Sequence, residues 1–292
     1  MIISNILGGL GNQMFQYAAG RALSLSNHTE LRLDISGFES YKLHHGFLLN
    51  RIFSLPAAIA SQRDIRKVLG WQASPKPRRI LLHPRLSWLR NKGLIVEPHF
   101  NFWSGLAAAP SDCYLHGYWQ SEKYFADHAD TIRADFAFDR PLDERNRQMV
   151  KMMRQSNAVS LHVRRGDYAS DPRTLSTHGL CPLEYYRAAV KIVADRVASP
   201  SFFIFSDDIA WAKENLEISM PCHFIGHNQG AESYRDMQLM SQCRHHIIAN
   251  SSFSWWGAWL NPDPQKIVIA PRKWFADGKA VEDLMPENWL QI

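Results

Sequence analysis

The chain has 292 residues, of which 46% are hydrophobic and 21% charged, a composition typical of a folded globular protein with room for two domains. Its net charge of +5, from 33 basic and 28 acidic residues, is small for this length and argues against a nucleic-acid-binding protein, in which Lys and Arg concentrate on one stripe. The four cysteines stand at no metal-ligand spacing and a chain this large needs no disulfide staples, so we expect reduced thiols in a cytoplasmic protein.

The N-terminal half begins with an apolar run, a glycine-rich turn and a helical pattern, the order typical of a parallel α/β domain. The predicted elements are a strand at 2–7, a tight loop at 8–12, a helix at 13–25, a strand at 31–35, a helix at 61–69, a strand at 113–118 and a helix at 127–136. The basic run at 75–79 predicts a solvated linker.

Residues 1–20 carry no charged side chain, because the first one is Arg21. Ser, Asn and Gln side chains and four glycines interrupt this stretch, and no basic residues precede it. We therefore expect neither a signal peptide nor a spanning helix, and at most a peripheral association with the inner face of a membrane.

The C-terminal half alternates apolar strands with helices, which indicates βαβ units and a second parallel sheet. The predicted strands lie at 158–163, 202–205, 223–225, 246–249 and 266–270, and the predicted helices at 182–197, 209–216, 231–243 and 252–260. A charged stretch at 138–155, which contains Pro141, separates the two halves. We therefore predict an N-terminal domain over 1–150 and a C-terminal domain over 151–292, whose last helix packs back on the first.

Polar residues directly follow three of the predicted strands. Arg164 to Asp167 follow the strand at 158–163, Ser206 to Asp208 follow the strand at 202–205, and Asn250 to Ser252 follow the strand at 246–249. Ligands bind beyond the carboxyl ends of strands in open parallel sheets, so the sequence predicts a site at this edge.

The adjacent Arg164 and Arg165 would repel each other unless an anion or an acidic side chain lay between them. A guanidinium group matches phosphate oxygens, which favours a diphosphate ligand, whereas ion pairs with Asp207 or Asp208 are the structural alternative. Those two aspartates could instead hold a metal ion, but we expect them to orient the arginines or to cap the helix at 209–216.

Two further features permit more than one interpretation. Asn250 to Ser252 stand before a helix, where backbone N–H groups could bind phosphate or simply be capped by a serine. Asp236 could accept the two adjacent donors of guanine or be an ordinary exposed helical acid.

The glycine loop at 8–11 with Asp34 imitates a dinucleotide-binding fingerprint, but Met14 occupies the third glycine position. The amides of Asn12 and Gln13 at this loop could reach a ligand instead.

Three blocks of this sequence resemble a known family: GGLGNQMFQY at 8–17, HVRRGDY at 162–168 and SSFSWWGAWL at 251–260. They are similar to the signature of glycosyltransferase family 11, the α1,2-fucosyltransferases, and they occur in the same order over nearly the whole chain. The resemblance implies a GT-B-like α/β architecture of two Rossmann-like domains facing a cleft. It further implies GDP-fucose as donor, a galactose-ended glycan as acceptor, inversion at the anomeric carbon, no cofactor or divalent metal, and no nucleic-acid partner.

The resemblance also assigns roles to residues. Arg164 is expected at the β-phosphate, Asp236 at guanine and Asn12 near the sugar. The predicted donor site comprises His162, Arg164, Arg165, Asp207, Asp208, Asp236, Asn250, Ser251, Ser252 and Phe253, and the predicted loop near the sugar or acceptor comprises Gly11, Asn12, Gln13 and His178.

The catalytic base stays open at this stage. Related α1,6-fucosyltransferases place a carboxylate a few residues after the arginine block, but the matching position here is Pro172. Asp167 is the first candidate, followed by Asp171 and His178. A fucosyltransferase of another regiochemistry and a non-catalytic module that binds GDP-sugars remain as alternatives.

Overall fold

A computed structural model describes residues 1–39, 45–279 and 281–292, without the side chains of Asp167 and Ser170. The chain forms two compact units, the first comprising Met1–Asp139 with Val281–Pro286 and the second Arg140–Ala280 with Glu287–Ile292. The division after Asp139 falls within the predicted boundary stretch at 138–155, before the predicted domain limit at residue 150. None of the helices in the described ranges has both the length and the apolar character that crossing a membrane requires.

The first unit contains a five-stranded parallel sheet in the order β3-β2-β1-β5-β4. Its strands are β1 (Ile2–Asn5), β2 (Leu31–Asp34), β3 (Ala58–Ile59), β4 (Leu94–Val96) and β5 (Cys113–His116). Its helices are α1 (Leu10–Ser26), α2 (Leu49–Ile52), α3 (Gln62–Leu69), α4 (Pro75–Leu81) and α5 (Ala129–Asp135). Short 3₁₀ turns connect several of them, among them Gly70–Ala73 and Pro84–Leu89.

Helix α1 packs closely against the sheet of its unit. A Cβ atom at Gly20 would lie 3.0 Å from the Leu31 side chain and 3.1 Å from that of Ser4, so this position has little room for any larger residue. Because the helix begins at Leu10, Gly11 and Asn12 lie in its first turn and not in the predicted loop.

The second unit contains a six-stranded parallel sheet in the order β11-β10-β9-β6-β7-β8. Its strands are β6 (Asn157–Val163), β7 (Pro200–Ser206), β8 (Cys222–Ile225), β9 (His245–Ile247), β10 (Val268–Ala270) and β11 (Leu290–Gln291). Its helices are α6 (Glu144–Arg154), α7 (Gly166–Ser170), α8 (Pro172–His178), α9 (Leu183–Arg196), α10 (Ile209–Asn215), α11 (Tyr234–Met240) and α12 (Ser252–Trp259).

Helices cover both faces of this second sheet. Val159 and Leu161 of β6 pack with α9 on one face, whereas Ala158 packs with α6 and α11 on the other. Burial on both faces explains why β7 carries the continuous apolar run at 202–205, and in β6 it also buries the polar residues Ser160 and His162. The predicted α/β class with two Rossmann-like parallel sheets is therefore confirmed.

Other predictions about local structure need correction. The predicted linker at 75–79 is the first part of α4, which begins with Pro75 at a position where a helix tolerates proline. The charged stretch predicted to separate the domains contains α6, capped by Asp143, whose side chain accepts a hydrogen bond from the Asn146 N–H. The predicted last helix is absent from the described residues after α12, which form turns and the strands β10 and β11.

Candidate functional site

The order of strands in the second sheet defines where a ligand would bind. The chain runs outward from β6 through β7 to β8, and then returns to the other side of β6 for β9, β10 and β11. The connections after β6 and β9 therefore diverge, and such a switch point is the usual ligand site of an open parallel sheet. Val163 pairs with Ser206 and Leu161 with Ile247, so the three polar segments predicted from the sequence do end at one edge.

Asp207 links the end of β6 to the end of β7. Its Oδ2 atom lies 2.7 Å from Nη1 of Arg164, and its Oδ1 atom accepts a hydrogen bond of 2.8 Å from the backbone N–H of Arg165. A Cβ atom at Gly166 would lie only 2.6 Å from the Asp207 carboxylate, so a glycine is needed here. This aspartate fixes the direction of the Arg164 side chain.

Arg165 is held by two groups from α10 and its cap. Its guanidinium carbon lies 3.9 Å from the centre of the Trp211 ring, a cation–π distance, and its Nε atom is 3.5 Å from Oδ2 of Asp208. Asp208 also caps α10, because its Oδ1 atom accepts a hydrogen bond from the Trp211 N–H at 3.1 Å. The expectation that the two aspartates orient the arginines and cap this helix is confirmed.

Both arginines nevertheless remain accessible at the sheet edge. The side chains of Arg164 and Arg165 are 24% and 22% exposed. A guanidinium group carries five N–H donors in a fixed plane, which suits it to contact more than one anion. The ion pairs pre-orient the two side chains at the sheet edge.

His162, two residues before Arg164, is buried in β6 and lies beside the start of α12. Burial lowers the pKa of its imidazole to about 4, so the ring is neutral near pH 7. Its Nδ1 atom has no hydrogen-bond partner among the described residues, and its ring centre lies 5.9 Å from that of Phe253. A buried polar atom without a partner is uncommon and marks this position as a candidate ligand contact.

The polar residues around the start of α12 have different roles. Ser251 caps the helix, since its hydroxyl accepts a hydrogen bond from the Phe253 N–H at 3.4 Å, so the capping alternative applies to this residue. Asn250 is buried, and its amide donates to the carbonyls of His178 and Trp274 at 2.8 and 3.3 Å. Its side chain supports neighbouring loops, and its contact with the donor stays a prediction. Ser252 is half-buried at the first helical position.

Helix α12 is held rigidly by a cluster of tryptophans. The rings of Trp255 and Trp259 stack with centres 6.1 Å apart, and Trp255 lies 5.4 Å from Trp289. Six of the eight helical residues are buried. The N-terminus of this helix, with its partial positive charge, therefore stands in a fixed position beside the switch point.

Asp236 lies in a buried polar network that the sequence analysis did not find. Its Oδ1 atom accepts a hydrogen bond of 2.8 Å from Asn228, and Asn228 in turn exchanges hydrogen bonds of 2.9 and 3.1 Å with Asn146 of α6. His227 lies 3.0 Å from the Asn146 side-chain oxygen. The interpretation of Asp236 as an ordinary exposed acid is therefore wrong.

Burial raises the pKa of Asp236 to about 7, against the opposing effect of the Asn228 hydrogen bond. A carboxylate that gives up hydration gains strongly from any ligand that supplies two hydrogen-bond donors. No motif or hydrophobic period marks Asn146 and Asn228. The helix-capping pattern of Asp143 and Asn146 is the local signal that could have drawn attention to Asn146.

The candidate bases lie in and after α7 and α8. Asp167 is in α7, and its side chain is outside the described residues. Asp171 caps α8 by accepting a hydrogen bond from the Arg173 N–H at 2.9 Å. The His178 ring stacks on Tyr168 with centres 4.8 Å apart, and the guanidinium carbon of Arg164 lies 5.2 Å from the centre of the same tyrosine.

The first sheet has its own switch point between β1 and β5. Asn12 lies there in the first turn of α1, and its Oδ1 atom accepts a hydrogen bond of 2.7 Å from Gln120, which follows β5. Gly8 has φ +80° and approaches Asn12 so closely that a Cβ atom would lie 2.9 Å from its amide nitrogen. The sequence analysis did not single out Gln120.

Gln13 does not present its amide to a ligand as predicted. The side chain is buried, donates to the carbonyls of Gly8 and Gly46 at 2.8 and 2.9 Å, and accepts from the Leu48 N–H at 2.9 Å. Gly11 is likewise buried inside α1.

Asp34, the acidic residue of the apparent dinucleotide-binding fingerprint, has a structural role. The Asp34 carboxylate is buried and accepts a hydrogen bond of 2.6 Å from the Tyr114 hydroxyl, with Arg78 at 3.4 Å. Among residues 1–39, 45–279 and 281–292, no three His, Cys, Asp or Glu side chains converge as metal ligands would.

Comparison with known proteins identifies the family. Residues 93–292 match the model of the protein family described as glycosyl transferase family 11. The chain belongs to glycosyltransferase family 11.

This family 11 chain has relatives along its whole length. It is 36% identical to an α1,2-colitosyltransferase of Escherichia coli over 100% of this chain and 99% of the relative. It is 32% identical to the O-antigen biosynthesis glycosyltransferase WbnK of the same species over 99% of both chains. A galactoside α-(1,2)-fucosyltransferase 2 of Rattus norvegicus is 27% identical over 89% of this chain and 67% of the relative.

Two solved structures of similar fold are fucosyltransferases by name. The α1,6-fucosyltransferase NodZ, in a crystal soaked with GDP-fucose, superposes with a TM-score of 0.54 at 13% identity, over 89% of this family 11 chain and 92% of NodZ. A second structure of NodZ, from Bradyrhizobium, gives a TM-score of 0.51 at 12% identity, over 88% and 91% of the two chains. The fold is therefore of the GT-B type.

Proposed function

We propose that this family 11 enzyme transfers L-fucose from GDP-β-L-fucose to the 2-hydroxyl group of a terminal galactose, with inversion at the anomeric carbon and without a cofactor or required metal ion. The α1,2 linkage in the names of the relatives supports the regiochemistry. The acceptor belongs to an oligosaccharide or O-antigen unit, in line with the name of WbnK, and we assign the reaction to the cytoplasmic side.

The observation that carries this proposal is the pair of arginines held at the switch point. Arg164 and Arg165 are each pre-oriented by an aspartate, remain about one-quarter exposed, and follow the central strand of the sheet. The proposed ligand is the diphosphate of the donor, with the β-phosphate at Arg164, where a planar guanidinium can bind two oxygens at once. The N-terminus of α12 adds its partial positive charge beside the same anion.

The second support is the position of Asp236. Guanine presents two adjacent donors, N1–H and the exocyclic amino group, which match the two oxygens of one carboxylate. Asn228 uses one acceptor position on Oδ1, and an ionised carboxylate has about four, so capacity for the base remains. Adenine and the pyrimidines lack this pair of donors, so the proposed specificity is for a guanine nucleotide.

The proposed mechanism is electrostatic. As the bond between the anomeric carbon and the β-phosphate oxygen breaks, negative charge grows on the leaving GDP, and Arg164, Arg165 and the start of α12 stabilise it more strongly than they stabilise the bound donor. The acceptor hydroxyl attacks from the opposite face and loses its proton to a base. We propose Asp167 for that role and Asn12, joined to Gln120, for positioning of the sugar or acceptor.

L-Colitose is a second candidate for the transferred sugar, because a relative 36% identical over the whole chain is named for it. Colitose is fucose without the 3-hydroxyl group. The two donors therefore share the GDP moiety, and the same arginine and aspartate contacts serve both.

The decisive experiment incubates the enzyme with GDP-fucose and lactose, with and without EDTA, and measures released GDP and the linkage of the product. We expect an α1,2-fucosylated galactoside at equal rates in both conditions. Loss of turnover in EDTA would overturn the metal-independent mechanism, and GDP binding without turnover on any galactoside would favour a non-catalytic module. GDP-colitose in a parallel incubation distinguishes the two sugars by the ratio of kcat/KM.

Arg164→Gln tests the arginine contacts, with Arg187→Gln on the exposed side of α9 as matched control. The first variant should lower kcat by about a hundredfold or more, since it removes a charged donor from the leaving group. The control removes the same charge elsewhere and should keep wild-type kinetics.

A further inference from the structure

The charge of this chain is concentrated in one segment of the first unit. Residues 61–92 contain nine basic residues and one acidic residue, Asp64, whereas the remainder of the chain contains 24 basic and 27 acidic residues. The segment therefore carries a net charge of +8 in a protein whose total is +5, and the rest of the chain is slightly acidic.

Large apolar side chains are exposed in the same segment. The three most exposed large hydrophobic residues among those described are Trp88 at 77%, Trp71 at 68% and Ile80 at 61%, and Leu89 is exposed at 42%. Scattered single apolar residues are normal on a surface, but four large ones within one segment, two of them tryptophans, make that segment a candidate interaction site.

These exposed residues are carried by a rigid support. The opposite side of segment 61–92 packs into the core of the first unit through Ile65, Leu69 and Leu81. The Gln72 amide donates to the Leu89 carbonyl at 3.0 Å, and its oxygen accepts from the Asn91 N–H at 2.9 Å. The turn that carries Trp71 is therefore bonded to the turn that carries Trp88 and Leu89.

A second buried contact joins α4 to the same surface. Nε of Arg90 donates to the Leu81 carbonyl at 2.8 Å, next to Ile80. Arg90 and Arg78 serve structure in this way and are half-buried, whereas the other seven basic side chains are exposed. Those seven are Arg63, Arg66, Lys67, Lys76, Arg79, Arg85 and Lys92.

We propose that segment 61–92 docks on the surface of an anionic lipid bilayer. Tryptophan is favoured at the level of lipid headgroups, where its ring is partly buried and its N–H stays hydrated, and exposed Lys and Arg pair with the headgroup phosphates. A second copy of this chain is a poor occupant, because two surfaces that each carry seven exposed basic side chains would repel each other. A soluble polyanion would satisfy the charges but would give the exposed Trp71, Ile80 and Trp88 no apolar phase.

This inference concerns the location of the protein and is independent of the sugar that it transfers. For an enzyme whose relatives include an O-antigen glycosyltransferase, a membrane-bound state would bring the active site near acceptors carried on lipid.

The test is co-sedimentation of the full chain with vesicles of phosphatidylcholine, alone or mixed with phosphatidylglycerol. We expect binding to the mixed vesicles, little binding to phosphatidylcholine alone, and a decline with added salt. The variant Trp71→Ser with Trp88→Ser should lower the partition constant about tenfold or more. Arg79→Gln with Arg85→Gln should lower it about fivefold for each charge removed.

Matched controls lie in the second unit. Arg187→Gln with Lys191→Gln removes two exposed charges from α9, and Leu175→Ser removes an exposed apolar side chain from α8. Both should bind vesicles as the wild type does. Circular dichroism and the melting temperature show that each variant is folded.

Three outcomes would overturn the inference. Equal binding to charged and uncharged vesicles would exclude the electrostatic contact. Tight binding of heparin that persists in the tryptophan variant would indicate a polyanion site. Self-association in sedimentation equilibrium without vesicles, lost in the tryptophan variant, would indicate that a second copy covers this surface.

Discussion

Protonation of Asp236 should control the affinity for GDP near neutral pH. Burial places the pKa of this carboxyl group at about 7 without ligand, and guanine can bind only the ionised form with both of its donors. At pH 6 about ten in eleven of these groups are protonated, whereas at pH 8 about one in eleven is, so the dissociation constant of GDP should be about tenfold larger at pH 6 than at pH 8. Affinity is thus lost as the pH falls through 7.

The substitution Asp236→Asn tests this assignment, because it removes the ionisable group. The amide is uncharged at every pH and offers guanine one acceptor where the carboxylate offers two, so GDP should bind weakly and this part of the pH dependence should disappear. Xanthine presents one donor and one acceptor at the corresponding edge, so the variant should prefer xanthosine diphosphate over GDP.

Isothermal titration calorimetry between pH 5.5 and 8.5 measures both effects. The phosphate groups of GDP also titrate in this range, and the variant serves as the control for them because it binds the same phosphates. The difference between the two profiles therefore reports Asp236 alone. Tight binding of GDP by the variant, or parallel pH profiles for the two proteins, would refute the assignment of this residue to guanine.

Three further predictions follow from contacts around the site. Arg164→Lys keeps the charge but loses the planar guanidinium group, so kcat should fall about tenfold or more in a GDP-release assay. The loss should be smaller for Arg165→Lys, because the Arg165 side chain also packs on the indole ring of Trp211. Asn228→Ala removes the hydrogen bond that favours the ionised form of Asp236, so calorimetry should find the midpoint of GDP affinity at a higher pH, and an unchanged midpoint would contradict the network. Gly257→Ala places a Cβ atom 2.9 Å from a side-chain carbon of α11, so urea denaturation should find about 1–3 kcal/mol less stability.

The sequence was sufficient to predict the second sheet and the edge at which the site lies. The mainly apolar strands β6 and β7 end in polar residues, and the order of strands then brings those ends together. The arginine pair was predicted to need either an anion or acidic partners, and the structure provides the acidic partners while leaving both side chains partly exposed.

The sequence did not predict the surroundings of Asp236 or the role of Gln13. Asn146 lies 82 residues before Asn228 in the chain, and no local pattern indicates a contact over such a distance. Gln13 stands in a motif whose resemblance suggested a ligand contact, but its amide satisfies backbone groups of a loop that has no regular period. Polar residues in a motif thus serve either ligand or scaffold, and only tertiary packing separates the two.

In segment 61–92 the sequence pattern predicted less structure than the segment has. Its basic run was predicted to be a solvated linker because charge runs usually are. Four short helical pieces and the hydrogen bonds of Gln72 and Arg90 instead give it a fixed shape. The exposure of its tryptophans depends on which side of each piece faces the core.

The division of residues 281–292 between the two units has a consequence for synthesis. Asp283 in the first part of this segment binds Lys123 at 2.6 Å and the Phe102 N–H at 3.1 Å, within the first unit. The second part adds β11 to the sheet of the other unit. Each unit is therefore completed by residues that leave the ribosome after all its other elements. A nascent chain stalled before residue 281 should be more sensitive to protease in both units than the released protein.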